Sequence, residues 1–404
     1  MKNAFVIAFI LFVCVFAFLP KSVETGGFVL FVLGSIAYIG THLRRFRRLY
    51  TQEAECRKLS SLFIIFMCVS GVYFLLSFLN LPGLWGIQGL LYSRSHIPRH
   101  FIIIAELFLP VLLAEELYRS RFFSRFQTGP LVLFFLFAFF LLRGALSMTG
   151  LLLVTLALIS WRCNAKWLLL PAFFLQYQQS SNLLGFLVMM LLVCLEQPVT
   201  RYLYRNTLRK IILFASLAIL GLFLASGLLA VYVENDANSL WRLQVWENEM
   251  TSLAQTCFTG VGFGSAYVTN DIVEVVENAN MYIDNADQDF EYGVFIVANH
   301  SSLINMFYRM GLAGGILFLA LNIQLVRTII KLYHGSRQRE RALLWRLFAV
   351  WMYQTVIIVL NPGLEMMQFA LGYLLSLAFL LAAVLVINRR RMDRNVVIME
   401  RSDE

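Results

Sequence analysis

Apolar runs long enough to cross a bilayer recur along this chain, and no other feature narrows its possible folds as much. They fall at about 4–19, 27–41, 60–80, 101–116, 128–142, 144–161, 167–177, 182–195, 211–232, 303–328, 346–360 and 368–387. About 20 mostly apolar residues cross the hydrocarbon core as a helix, because a spanning backbone must satisfy its own hydrogen bonds. Composition agrees: 59% of residues are hydrophobic and 14% charged, against roughly 25% charged in soluble domains. A soluble enzyme with one ordinary core is excluded. The expected fold is all-α and polytopic, with about 12 transmembrane helices and one large outer loop. The first run is read as a helix and not as a cleaved leader, since Val15-Phe16-Ala17-Phe18-Leu19-Pro20 lacks a small-residue cleavage pattern.

An even number of spans puts both termini on one side, and the charges test that parity. Lys and Arg total 33 against 24 acids, a formal +9. With both termini inside, 27 of the 33 bases fall on the inner side, the excess that orients membrane proteins. The six that do not are Lys21, Arg94, Arg99, Arg143, Arg242 and Arg309. The segment from Tyr232 to His300 holds eleven acids and one base, Arg242. The net charge is thus a sum of two opposed faces and gives no support to nucleic-acid binding. The chain divides into helices over 1–231, a large outer loop over 232–302, further helices over 303–388 and a basic tail over 389–404. Of six cysteines only Cys257 lies in the outer loop, and no CxxC or Cys/His cluster suggests zinc.

Charges outside or within the membrane carry the chemical information, because an intramembrane charge is costly and faces a cavity or a partner. Arg143, at the outer end of one helix, and Arg309, in the first turns of a later one, join Arg242 as an outer arginine group. Guanidinium forks match phosphate oxygens in pairs, so the group suits a diphosphate; snorkelling or ion pairing is the plainer explanation. Glu106 lies within the fourth apolar run. His300 stands just before an apolar helix, where a neutral imidazole can act as a general base. His96 and His100 are spaced i, i+4, but Pro98 between them argues against a helical metal pair. Gly260-Val261-Gly262-Phe263-Gly264 lacks the strand–helix context of a dinucleotide site and reads as a tight turn bringing Phe263 near the membrane. Asp287-Gln288-Asp289 reads as a solvated acidic face, and Trp241 and Trp246 either stack on sugars or sit at the interface.

Taken in order, Arg143-Gly144-Ala145, then Trp241-Arg242-Leu243-Gln244-Val245-Trp246, Gly260 to Gly264, His300-Ser301-Ser302-Leu303 and Gly311-Leu312-Ala313-Gly314 resemble the O-antigen ligase and polymerase superfamily of bacterial membrane glycosyltransferases. The eleven-residue interval from His300 to Gly311 belongs to that pattern. Ser301 stands where the family usually has Asn, and Arg309 where many ligases carry an acid, a lean toward the polymerase branch. The resemblance implies a bacterial inner-membrane protein whose large loop is periplasmic and whose termini are cytoplasmic. It implies transfer of a glycan from a polyprenyl-diphosphate carrier to a sugar hydroxyl, inverting, with no cofactor, metal or nucleotide. His300 would be catalytic. Arg143, Arg242 and Arg309 would bind diphosphate, with Trp241, Trp246 and Glu106 near substrate and Gly260, Gly262 and Gly264 shaping the loop. The acceptor would be a second lipid-linked glycan for a polymerase or lipid A core for a ligase. A polysaccharide or lipid transporter, or a structural assembly subunit, remains the alternative of another class.

Overall fold

The computed structural model describes residues 21–51, 54–125, 127–142, 146–175, 180–204, 237–269, 301–360, 364 and 367–402. Their apolar composition makes nearly every element a helix. In chain order they are α1 (Lys21–Thr41), α2 (Leu43–Tyr50), α3 (Ala54–Ser77), α4 (Leu81–Leu84), strand β1 (Leu90–Tyr92), α5 (Ile97–Ala105), α6 (Phe108–Arg119), α7 (Phe122–Arg125), α8 (Thr128–Leu142) and α9 (Leu146–Arg162). A 3₁₀ stretch (Lys166–Leu175) leads to α10 (Ser180–Cys194), α11 (Glu196–Tyr204), α12 (Ala237–Gln255), strand β2 (Ser265–Thr269), α13 (Ser302–His334), α14 (Gln338–Leu360) and α15 (Met367–Ser402). The two strands pair antiparallel, Leu90 opposite Thr269 and Tyr92 opposite Ser265.

Among the described residues, four helices are long and apolar enough to cross a membrane: Cys56–Ser77 in α3, all of α13 and α14, and Ala370–Arg394 in α15. A fifth arises if α10 and α11, bent by 79°, form one broken span. Val29–Thr41, Thr128–Phe139 and Thr149–Arg162 are shorter apolar helices. The chain is an α-helical, membrane-embedded protein. The apolar runs at 4–19 and 211–232 lie outside the described residues. Over the run expected at 167–177 the chain is 3₁₀ through Leu175, with Pro171 inside it. The basic tail continues α15 without interruption as far as Ser402.

α15 is the central helix, its apolar stretch from Ala370 to Asn388 nearly all buried, with α6, α9 and α14 around it. Its crossing with α9 is backbone to backbone. A Cβ added to Gly150 would collide with Gly372, so small residues set the spacing. Outward-facing Leu30, Ile64, Leu75, Leu133, Phe137 and Leu191 are well exposed, which suits lipid and would be a liability in water.

Two interruptions follow from proline. Pro110 has no N–H, and its ring crowds the carbonyl four residues back, that of Glu106, so α5 ends at Ala105 and α6 begins at Phe108. Pro198 stands in the same relation to Cys194, where α10 gives way to α11. A third break has another cause. Within α13, Gly311 adopts φ 61° and ψ −162°, splitting that helix into two pieces.

Candidate functional site

The break at Gly311 is filled by the Gly260–Gly264 turn. In an unbroken helix the Tyr308 and Arg309 carbonyls would accept from amides four residues on. Here they accept instead from the Val261 and Gly262 amides, at 2.8 and 2.9 Å, while the Leu312 amide donates to the Phe258 carbonyl at 3.0 Å. The turn's other amides are also bonded: Gly260 to Thr256 Oγ1 at 3.1 Å, Phe263 to Ser77 Oγ at 2.7 Å and Gly264 to His100 Nδ1 at 3.0 Å. A buried backbone needs this full accounting, because each unpaired polar group costs a lost hydrogen bond.

Glycine is required where the two backbones touch. Gly260 has φ +84°, and a Cβ there would run into the Gly311 amide nitrogen and stand 2.8 Å from the Arg309 carbonyl oxygen. Gly262 and Gly264 share the left-handed conformation, with φ +79° and +84°. Phe263 is buried, edge-on to Phe101 on α5 at 5.7 Å.

Arg309 follows from this arrangement. It lies in the second turn of α13, 2% exposed. Its Nη1 donates to the Ser265 carbonyl at 2.7 Å and the Gly262 carbonyl at 3.3 Å. The guanidinium stacks over the Tyr267 ring at 4.4 Å and lies 5.5 Å from that of Tyr308. Nε and Nη2 have no hydrogen-bond partner among the described residues. Tyr308 is fixed by its hydroxyl, which donates to the Ala266 carbonyl at 2.7 Å. One guanidinium is thus clamped on one edge and a face, with donors left on the other edge.

Further groups converge here. His96 immediately precedes α5, and its pKa is lowered by burial and by the Arg99 and Arg309 charges, so it is held toward neutrality. His100, four residues on, is buried and edge-on to Tyr267 at 5.6 Å. Accepting the Gly264 N–H requires an unprotonated Nδ1, an assignment made from the bond itself. Helix α12 lies alongside α13. Val245, Glu249, Ser252 and Leu253 are buried at helical spacing along it, and Glu249 is near enough to Tyr308 for their charges to interact. Trp246 on the same helix is half-buried, its indole N–H without a partner among the described residues.

The structure therefore gathers Arg309, Gly260, Gly262 and Gly264 in one place, with the Trp246 helix packed on the element that carries Arg309. Glu106 is elsewhere. It is buried at the α5–α6 break and interacts electrostatically with Tyr373 of α15. His300 and Arg143 lie outside the described residues. Trp241 and Arg242 are on α12, but their side chains are outside the described set. Ser301, the neighbour of His300, caps α13 by accepting the Ile304 amide at 3.3 Å, and the Ser302 hydroxyl accepts the Leu364 amide at 2.9 Å.

Pro98 stands in the first turn of α5, where proline starts a helix, and the His96 and His100 rings lie 6.2 Å apart at its head; their sequence spacing argues only against a helical metal pair and does not point to this site. Tyr267 carried no signal of its own. Among the described residues no three His, Cys, Asp or Glu side chains are grouped to hold a metal. No protein-family model matches the chain, and no curated protein is similar to it.

Proposed function

We propose that the protein is a periplasmic-side glycosyltransferase of the inner membrane. It would pass a glycan from a polyprenyl-diphosphate carrier to an acceptor sugar hydroxyl, as an O-antigen polymerase does. The observation that carries the reading is the buried Arg309, clamped by the glycine turn and Tyr267 with two donor directions unspent. An arginine desolvated and held this way is suited to a phosphate oxygen, because its fork is already oriented and the low dielectric strengthens the pairing. In the proposed reaction the acceptor hydroxyl loses its proton to His300 and its oxygen attacks the anomeric carbon from the face opposite the diphosphate. The carbon–oxygen bond to the diphosphate breaks with inversion, and the departing charge is met by Arg309 together with Arg143 and Arg242. His300 directly precedes the cap of α13, the same helix that carries Arg309. No metal or nucleotide has a role in this scheme. The topology assumed is the twelve-span arrangement, both termini cytoplasmic, with the 232–302 segment outside.

Transfer of lipid-linked glycan by purified protein in nanodiscs tests the reading. His300→Ala should slow it by about 10²–10⁴-fold, the usual worth of a general base; undiminished transfer would sink the assignment. The product separates the branches: growing lipid-linked chains mark a polymerase, and glycan on lipid A core marks a ligase. A transporter is favoured by one specific observation, the interruptions at Gly311 and between α10 and α11, since broken helices line many transport sites. Movement of lipid-linked glycan across proteoliposomes without any bond made would establish it.

A further inference from the structure

His100 belongs to no step of the proposed reaction, yet it is buried at the junction of three elements. Its Nδ1 accepts the Gly264 amide, the last bond of the turn that fills the α13 break. Its ring edge meets Tyr267, whose face carries the Arg309 guanidinium. Arg309 in turn bonds the Ser265 carbonyl, one residue beyond Gly264. Two routes, one through hydrogen bonds and one through stacked rings, therefore run from a single imidazole to the same arginine.

We propose that His100 is a positioning residue: it latches the glycine turn to α5 and holds Tyr267, and so sets the orientation of Arg309. The last step, that this orientation serves a diphosphate, rests on the reading given above; the latch itself does not. The latch works only with an unprotonated Nδ1, because an N–H cannot accept. Titratable and charged groups on the elements that meet at the turn include His96 and Arg99 at the head of α5, Tyr73 of α3, Tyr92 of β1, Tyr267 of β2, Glu249 of α12 and Arg309 of α13; of these the His96 and Tyr267 rings stand 6.2 and 5.6 Å from that of His100. Arg99 and Arg309 are cations that oppose a charge on the neighbouring His96, and the Gly264 N–H donated to Nδ1 marks His100 itself as unprotonated while the latch is closed. Acid opens it: the Gly264 amide loses its acceptor and Tyr267 gains a charged neighbour.

Two variants separate the acceptor from the titration. Asn carries an oxygen at nearly the place of the imidazole Nδ1 and does not titrate; Ala supplies neither. Hydrogen exchange across residues 258–269, corrected for intrinsic rates, reads the latch without reference to activity. His100→Ala should speed exchange there about tenfold, the worth of one hydrogen bond, whereas His100→Asn should stay near wild type. Wild-type exchange should rise as the pH is lowered and the imidazole takes up its proton, and the Asn variant should not follow. For transfer, the Ala variant should lose about tenfold in kcat/KM through the lipid-linked donor, with Asn restoring most of it. Wild-type exchange that is flat with pH, or an Asn variant that exchanges as fast as Ala, would overturn the latch; if Ala does not fold, the Asn variant and the wild-type pH series still decide. Exchange as expected, from a wild type that makes no glycosidic bond in any assay, would instead overturn the glycosyltransferase reading.

Discussion

At the scale of single residues, the site around Arg309 is set by how its donors are used. Arg309 spends one nitrogen on two carbonyls and keeps two N–H directions for something else. Lysine there would retain the charge but neither the fork nor the flat face that Tyr267 holds. Arg309→Lys should therefore cost about 10²-fold in glycan transfer, the scale of one preorganised donor, measured as initial rate at saturating acceptor. His96 supplies a prediction about acid. Its folded pKa lies below the ordinary value of 6.5 through burial and the Arg99 and Arg309 charges. The unfolded chain then binds more protons than the folded one just below that value, so stability is full above about pH 6.5 and drains away as the pH falls toward the folded pKa. Thermal unfolding midpoints measured against pH should show a decline that His96→Gln makes shallower.

At the scale of elements, the decisive unit is a loop that completes a helix. α13 is interrupted, and the turn from Gly260 to Gly264 supplies the amides that its own backbone cannot. Such a unit tolerates no side chain at the contact. Gly260→Ala places a left-handed alanine against the Gly311 backbone and should cost at least about 2 kcal/mol, seen as a lowered unfolding midpoint in detergent. A midpoint equal to wild type would mean that the turn does not sit in the break. The glycine pattern was visible in the sequence, but its partner was not. Gly311-Leu312-Ala313-Gly314-Gly315 reads as a closely packing helix, and only a backbone arriving from fifty residues upstream explains why the helix opens there. Proline worked the opposite way. Pro110 sits inside the apolar run at 101–116 and removes a bond that periodicity assumes, while Pro198 falls just past the run at 182–195.

At the scale of the whole molecule, the long apolar helices differ chiefly in how much of each is buried inside the bundle. α15 and α14 are mostly buried, whereas most of α3 faces outward with Ile64 and Leu75 exposed. Side assignment can be checked with native thiols. Cys257, beside the glycine turn, and Cys163, after α9, are both exposed. A membrane-impermeant maleimide applied to spheroplasts should label Cys257 directly and Cys163 only after permeabilisation. Labelling of both from outside would break the parity on which the twelve-span topology stands.

The sequence by itself determined the helical, membrane-embedded character of this protein, because apolar length and the absence of charge are local properties that any bilayer reads the same way. It also exposed Arg309 and the three turn glycines, since a charge or a bare backbone in an apolar context is conspicuous residue by residue. What surrounds them was decided by tertiary structure alone. That Tyr267 lies under Arg309 and that His100 receives the Gly264 amide are contacts between residues 42 and 164 positions apart. No periodicity or spacing rule reaches that far; they exist because backbone groups left over at a broken helix had to find partners, and the folded chain supplied them.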